Sequence, residues 1–326
     1  MDWTDAEYGQ AASELVRALR GSRSQRALSR RLGFRTNVLY TWEAGRTHPT
    51  AAGFLALVEQ VGLDPRATLR AFYRLPPRWL SEGAPALPLP ETVARFLRDL
   101  AGDRPTVELA RAAGKSRFAM ARLLSGETEP RLPDLLRVVQ ASTLRLLDFV
   151  AVFVDPARLP SLAGPWERLE ASRRLAYDEP MSHAVLRVIE LSAYRALPEH
   201  RPGFIAEQLG ITAEAEARYL SLLEQSGQVE LRECRYVPTE VGSVDTRRDP
   251  ERAAQLRRFW TEAALERFGQ RDDDVFAFSL GTVSRRDLER VREVHRRYFE
   301  ELRAIIGSSQ PAESLLLANV QLIRLA

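Results

Sequence analysis

The chain has 326 residues, of which 45% are hydrophobic and 28% charged, with a formal net charge of +3 and one cysteine. No apolar run reaches the roughly 18–20 residues that span a bilayer, and a single cysteine excludes an internal disulfide. The acidic N-terminal segment is unlike a signal peptide, so we expect a cytoplasmic protein of two or three domains, without membrane contact.

Positive charge is concentrated at the N-terminal end of the chain. Residues 1–75 contain 11 Arg against 7 Asp and Glu, a net charge of +4, whereas the remaining residues are close to neutral. A basic end module is the charge distribution expected of a domain that contacts nucleic-acid phosphates.

Proline, glycine and the spacing of apolar residues divide the chain into six segments and predict a mainly α fold. In chain order they are a domain of short helices (1–75), a linker (76–90), a second helical domain (91–155), a second linker (156–180), a winged-helix-like unit (181–245) and a small α+β dimerisation or sensor unit (246–326).

The two helical domains match each other at a constant offset of 81 residues. Apolar positions such as Leu28 and Leu109 follow this offset, and four turn residues are identical in both copies. The identical pairs are Gly33 and Gly114, Gly45 and Gly126, Thr47 and Thr128, and Pro49 and Pro130. An internal repeat of one supersecondary unit explains the pattern.

In the first copy, a helix over 25–32 is followed by a turn at Gly33 and by a helix that Thr36 caps and that runs to about Ala44. Helical spacing directs Leu39 and Trp42 inward. The outward side chains are Arg35, Thr36, Asn37, Tyr40 and Thr41. Because Arg and Asn make bidentate contacts with guanine and adenine edges, these five residues are the predicted base readers of a helix in the major groove of double-stranded DNA.

This segment resembles a known class of regulators. The run Ser24-Gln25-Arg26-Ala27-Leu28-Ser29, followed by Trp42-Glu43-Ala44-Gly45-Arg46 and then by Pro49, is similar to the Cro/cI (Xre) repressor-type helix-turn-helix. The resemblance implies that Glu43, Gly45 and Pro49 are structural. It also implies that Gln25 and Arg46 contact DNA phosphates. We predict further phosphate contacts beside them at Ser24, Arg26 and Arg30. A helical domain that has lost DNA binding is the alternative.

The second copy is less clearly suited to DNA. By the offset, its turn and third helix contain a possible second DNA site at Lys115, Ser116, Arg117 and Arg122. However, Thr106 stands where the first copy has Gln25, and Glu127 and Glu129 would repel a nearby phosphate. The copy either contacts DNA or packs against the first copy and mediates dimerisation.

Residues 183–224 are predicted to form three helices, followed by a hairpin over 228–237. This is the element order of a winged helix. The helix in the recognition position carries Glu214, Glu216 and Glu224, with Arg218 as its one positive charge. Because an acidic helix is poorly suited to a phosphate-lined groove, a structural or signal-relaying role is favoured.

The C-terminal unit is predicted to contain a helix (250–268), a strand (275–280), a long helix (285–305) and a second strand (315–325). Two strands alone leave an exposed edge, which a second subunit would cover, so we expect a homodimer. The predicted interface residues are Phe276, Phe278, Leu316, Val320 and Leu322.

The tail also resembles a poorly characterised family of bacterial regulators. The resemblance covers roughly residues 180–326 and rests on Phe259-Trp260, Leu280-Gly281-Thr282-Val283-Ser284 and Asn319-Val320-Gln321-Leu322-Ile323. Members of that family join a helix-turn-helix region to a conserved C-terminal domain of unknown function. The resemblance implies a transcriptional regulator without naming a ligand.

No catalytic, metal-binding or cofactor motif is recognisable in the sequence, so we expect neither enzyme activity nor a cofactor. The favoured function is a homodimeric, sequence-specific DNA-binding transcriptional regulator. The alternative is an antitoxin-like or protein-interaction regulator whose C-terminal half binds a protein or a small ligand.

Overall fold

The computed structural model describes residues 3–73, 76–80, 88–239, 246 and 249–325. In this part of the chain the fold is mainly helical, as predicted, with a two-stranded hairpin as its sheet. The chain forms two compact units, the first made of Met1–Ala171 and the second beginning at Ser172. None of the described helices combines the length and the apolarity that a membrane span requires.

The first compact unit begins with five helices, which we call the first repeat (residues 5–72). They are α1 (Asp5–Arg20), α2 (Gln25–Arg31), α3 (Val38–Glu43), α4 (Ala51–Gln60) and α5 (Pro65–Phe72). Side-chain caps fix several of their N-termini. Thr4 and Glu7 form a reciprocal capping box at α1, and Ser24, Thr50 and Asp64 accept backbone N–H bonds at α2, α4 and α5.

Five further helices follow, which we call the second repeat (residues 90–153). They are α6 (Pro90–Ala101), α7 (Thr106–Ala112), α8 (Arg117–Ser125), α9 (Leu132–Thr143) and α10 (Leu146–Ala151). The helices α7, α9 and α10 begin 81 residues after α2, α4 and α5. Gly33 and Gly114 both have positive φ, of 85° and 58°, at the turn between the second and third helices of their repeats.

The two repeats share one hydrophobic core. The ring centroids of Phe54 and Phe153 lie 5.0 Å apart, and those of Phe72 and Phe149 lie 5.4 Å apart. Residues 81–87 of the predicted linker lie outside the described residues, but Leu80 of the same linker is fully buried in this core. Burial of these aromatic side chains makes the two repeats one folded body.

The backbones of the two repeats meet at equivalent positions. The N–H of Ala51 donates to the carbonyl of Pro130 at 2.8 Å, and the N–H of Leu132 donates to the carbonyl of Pro49 at 2.9 Å. Each residue of one bond lies 81 positions from its counterpart in the other. Exchanging the repeats therefore exchanges the two bonds, which is the signature of a local two-fold relation.

The second compact unit contains a helical group, a hairpin and two long helices. Helix α11 (Pro160–Asp178) begins in the first unit and ends in the second. The elements that follow are α12 (Met181–Ile189), α13 (Ser192–Arg195), α14 (Phe204–Leu209), α15 (Ala213–Gln225), β1 (Val229–Arg232), β2 (Arg235–Pro238), α16 (Pro250–Glu266) and α17 (Arg285–Ser308). The predicted hairpin is confirmed, with antiparallel register from Val229 opposite Pro238 to Arg232 opposite Arg235.

The prediction of two strands in the C-terminal unit is wrong. Residues 275–280 and 315–325 belong to no helix and form no strand pairing with the described residues. A strand needs a neighbour for its N–H and C=O groups, and Val275 and Phe278 are 90% and 96% exposed instead of alternating between two faces. The predicted α+β character of residues 246–326 is therefore corrected, since the described part of this range has two helices and segments without regular secondary structure.

The five residues predicted at the dimer interface lie in these segments without regular secondary structure. Phe278 and Leu316 are the most exposed of them, at 96% and 64%, whereas Val320 is half-buried. Phe276 packs its ring against that of Phe268, with 4.4 Å between ring centroids. The described residues therefore do not form the strand pairing that motivated the homodimer, but several apolar side chains of these segments are exposed.

Candidate nucleic-acid interface

Helix α3 buries one face and exposes the other. Leu39 and Trp42 are buried against α1 and α2, as predicted, and the ring of Phe34 meets that of Trp42 edge-on at 5.6 Å. On the opposite face, Tyr40 is 49% exposed. Arg35, Thr36 and Asn37 in the preceding turn are also exposed. The structure thus brings four of the predicted base readers to one solvent-facing surface.

A buried carboxylate holds α3 in place. The Glu43 side chain is 5% exposed and accepts from Nε of Arg20 at 2.5 Å and from Nε2 of Gln25 at 2.8 Å. The hydrogen bond to Glu43 raises the pKa of Arg20. These contacts join the end of α3 to the end of α1 and the start of α2. Gln25, predicted as a phosphate contact, therefore also has a structural partner.

A second polar contact fixes the turn before α3. Ser29 is fully buried, and its hydroxyl accepts from the N–H of Leu39 at 3.2 Å and donates to Oδ1 of Asn37 at 3.2 Å. The amide nitrogen of Asn37 makes no hydrogen bond to the residues that the structure describes. Asn37 is thereby held by its oxygen and keeps its donor group for another partner.

Thr41 differs from the other predicted readers. It is half-buried, and its hydroxyl donates to the carbonyl of Val38 at 2.8 Å and lies 2.8 Å from Oγ1 of Thr47. Of the five predicted readers it is the one most engaged within the protein. Arg46, by contrast, is exposed, and its guanidinium lies 5.5 Å from the ring centre of Tyr40, in cation–π geometry.

Exposed arginines flank this surface. Arg26 and Arg30 lie on the outer side of α2. No carboxylate among the described residues forms an ion pair with Arg26, Arg30, Arg35 or Arg46. Ser24, in contrast, uses its hydroxyl to cap α2 by accepting from the N–H of Ala27 at 3.4 Å. The surface is therefore positive without internal neutralisation, which suits an anionic partner.

The corresponding residues of the second repeat are more neutralised. Lys115 is ion-paired with Asp134 at 2.6 Å, and Arg122 lies 3.5 Å from Glu127. Ser116 caps α8 by accepting from the N–H of Ala119 at 3.1 Å. Arg117 is exposed and forms no ion pair with a described carboxylate. Of the four residues predicted here, Arg117 keeps its charge available.

One carboxylate of the acidic helix α15 has a structural role within the fold. Glu216 is 1% exposed and accepts from the N–H of Gly203 at 3.1 Å and of Ala206 at 2.6 Å, at the start of α14. His200 Nε2 lies 3.5 Å away, and burial lowers the pKa of His200 while Glu216 opposes that shift. Glu216 is an internal helix cap.

In the described chain, no group of three or more His, Cys, Asp or Glu side chains is placed to hold a metal ion. Cys234 is exposed, at the tip of the β1–β2 hairpin.

The C-terminal half of the chain matches a known family. Residues 163–325, half of the chain, match the family described as Domain of unknown function (DUF4423). The chain belongs to the DUF4423 family. This agrees with the resemblance noted for residues 180–326, and it assigns no activity. No helix-turn-helix family matches the N-terminal residues of this DUF4423 protein. No curated protein and no solved structure matches it.

Two groups of residues at this surface were not predicted from sequence. Arg20 was not recognised as the partner of Glu43, and Ser29 was not recognised as the support of Asn37. Comparing the two repeats at the offset of 81 could have revealed both groups, because all members of each group are replaced together in the second repeat. Ala101, Thr106 and Leu124 stand for Arg20, Gln25 and Glu43, while Ala110 and Phe118 stand for Ser29 and Asn37.

Proposed function

We propose that this DUF4423 protein is a sequence-specific DNA-binding transcriptional regulator that reads double-stranded DNA with α3. In this proposal the first repeat is a Cro/cI-type helix-turn-helix domain, the second repeat is its degenerate copy, and residues 181–245 are a winged-helix-like unit. The observation that carries the proposal is the face of α3. Tyr40 on α3 and Arg35 and Asn37 in the turn before it are exposed, while the inner face and both ends of α3 are held by buried contacts.

The chemistry of this face supports base reading. An arginine side chain matches the two acceptors of guanine, and an asparagine amide matches adenine. Asn37 is positioned by Ser29 and retains its amide nitrogen. The flanking Arg26, Arg30 and Arg46 would contact phosphates, which set the position of the protein on the duplex.

Selection of bound sequences from a randomised duplex pool, with the full chain, tests the proposal. We expect one enriched sequence. Arg35→Ala and Asn37→Ala should each lose roughly 1–3 kcal/mol of discrimination at one base position. Arg30→Ala and Arg46→Ala should weaken binding to all sequences and reduce its salt dependence. Arg70→Ala, which removes an exposed charge on α5, is the matched control.

The proposal fails if the wild-type chain enriches no sequence, or if all four variants bind like the Arg70→Ala control. Folding of each variant is checked by its unfolding midpoint. The three arginine positions are exposed, so these variants should stay within about 0.5 kcal/mol of wild type. Asn37→Ala also removes the acceptor of the buried Ser29 hydroxyl and should cost about 1 kcal/mol.

A second candidate function rests on the C-terminal unit. Large apolar side chains are exposed in its last sixty residues, among them Phe278, Leu280 and Leu325 at 96%, 80% and 81%. Exposed apolar groups of this kind are typical of protein-binding surfaces. In this reading the C-terminal half binds a protein, such as a second copy in the predicted homodimer, or a small ligand. Size-exclusion chromatography with light scattering that gives a monomer, with no ligand-induced stabilisation, would count against it.

A further inference from the structure

We infer that one chain recognises an asymmetric DNA site, with α3 reading one part and α8 reading the other. This inference rests on the proposed function and adds a second reading helix and a defined type of site. It starts from the reciprocal pair of backbone bonds between the repeats, Ala51 to Pro130 and Leu132 to Pro49.

The reciprocal bonds relate α3 and α8. The positions of α3, shifted by the offset of 81, fall inside α8, and the helices on either side of α3 and α8 begin at that same offset. The rotation that exchanges Pro49 with Pro130 therefore brings α3 onto the position of α8. A two-fold relation is the arrangement by which two reading helices contact successive major grooves on one side of a duplex.

The shared core keeps this arrangement fixed. Phe54 and Phe72 of the first repeat pack on Phe153 and Phe149 of the second, and Arg131 of the second repeat donates to the carbonyl of His48 at 2.8 Å. A pair of reading helices on one rigid body has its separation set in advance. Binding by such a body does not incur the entropic cost of bringing two subunits together on DNA.

The exposed face of α8 is chemically different from that of α3. At the positions of Thr36, Asn37 and Tyr40, the second repeat has Arg117, Phe118 and Ala121. Phe118 is 80% exposed, and Arg117 and Ala121 are exposed as well. An exposed arginine suits guanine, and phenylalanine and alanine suit the thymine methyl group. Two faces of different chemistry read two different sequences, so the site cannot be a palindrome.

The test compares the sequences selected by three full-length proteins. They are the wild type, the α3 variant Arg35→Ala/Asn37→Ala and the α8 variant Arg117→Ala/Phe118→Ala, with Arg158→Ala, an exposed arginine outside both helices, as the charge control. For the wild type we expect two unlike motifs at a fixed spacing of about one helical turn. Each double variant should lose preference in one motif only, by about 5- to 150-fold at the affected bases.

Three outcomes overturn the inference. A palindromic site whose two halves both change with the α3 variant assigns the second half to a second chain. An α8 variant that keeps the full wild-type preference, or that weakens all sequences equally, shows that α8 reads no bases. Either result leaves the proposed function standing. A wild-type chain that enriches no sequence overturns both the inference and the proposed function.

Discussion

The two repeats have the same arrangement of helices but differ in how they hold the third helix. In the first repeat, buried Glu43 joins Arg20 and Gln25. In the second, the three equivalent positions are Ala101, Thr106 and Leu124, so the polar cluster is replaced as a whole. The arrangement of helices therefore does not require the cluster. Because buried ion pairs contribute little net stability, we expect the main role of the cluster in the first repeat to be the orientation of α3.

The largest expected effect is a loss of stability from a change in the hydrophobic core that the two repeats share. Phe149 is 1% exposed and contacts Phe72, Phe96 and Phe153. We expect Phe149→Ala to lower the free energy of unfolding of the first compact unit by about 3–5 kcal/mol, since it opens a cavity between the repeats. Denaturant unfolding followed by fluorescence or circular dichroism measures it.

Phe118→Ala is the matched control for this change. It removes the same side chain from the same repeat, but Phe118 is 80% exposed, so its effect should stay within about 0.5 kcal/mol. A loss below about 1 kcal/mol for Phe149→Ala would show that the two repeats do not depend on a common core.

The next largest effect is expected from disrupting the buried cluster of Arg20, Gln25 and Glu43, which the second repeat does not have. Glu43→Ala leaves Arg20 without its carboxylate and should cost about 3 kcal/mol, at the lower end for a broken buried pair because the Arg20 side chain is 19% exposed. The triple change Arg20→Ala, Gln25→Thr and Glu43→Leu copies the second repeat. It should restore stability to within about 1 kcal/mol of wild type, because apolar packing replaces the whole cluster.

The triple variant separates stability from reading. If the cluster positions α3, the triple variant folds normally but discriminates less between DNA sequences than the wild type. Normal stability with unchanged discrimination would refute the positioning role, and poor stability of the triple variant would refute the equivalence of the two repeats.

A smaller effect is expected at Ser29, whose counterpart is Ala110. Ser29→Ala removes the acceptor of the buried N–H of Leu39 and the donor to Asn37, and should cost about 1–2 kcal/mol. If Asn37 reads a base as proposed, discrimination at that base should weaken as well. Ser22→Ala, at an exposed loop serine, is the control. Equal stability of the two variants would mean that the N–H of Leu39 is satisfied by solvent.

The positions of the short helices could be predicted from the sequence because local chemistry determines them. Ser24 caps α2, Gly33 takes the positive φ of the turn, and Leu39 and Trp42 face inward, as their spacing indicates. The cap of α3 was placed one residue too early. Asn37, not Thr36, precedes α3, and it makes no side-chain cap, because its Oδ1 accepts from Ser29. That competing partner lies eight residues away and is invisible to a local pattern.

Long-range partners account for the remaining differences. The sequence places Gln25 at the start of α2 but does not show that its amide meets Glu43 eighteen residues later. The apolar runs at 275–280 and 315–325 have the composition of strands, yet composition does not supply the neighbour that a strand requires. Asn319 and Gln321 instead donate side-chain bonds to Oγ1 of Thr261, both at 3.1 Å, so this segment is held by α16 without a sheet.

The smallest expected effect is a pH dependence at His48, whose counterpart in the second repeat is Glu129. Burial, reinforced by Arg131 and opposed by Asp134, lowers the pKa of His48, and its Nδ1 has no hydrogen-bond partner in the described chain. The unfolded chain therefore takes up a proton more readily than the folded one. The stability contributed by neutral His48 is complete above a pH of about 6.5 and is lost as the pH falls below that value.

Replacing His48 with glutamine removes this titration. The urea midpoint of the wild type should fall more between pH 7.5 and pH 5 than that of His48→Gln, at constant ionic strength, while the two proteins should differ little in slope above pH 7. The difference should be small because His48 is only half-buried. A wild-type midpoint that rises on acidification relative to the variant would mean that attraction to Asp134 outweighs burial and Arg131. The junction between the repeats would then be stabilised by a charged His48, not by a neutral one.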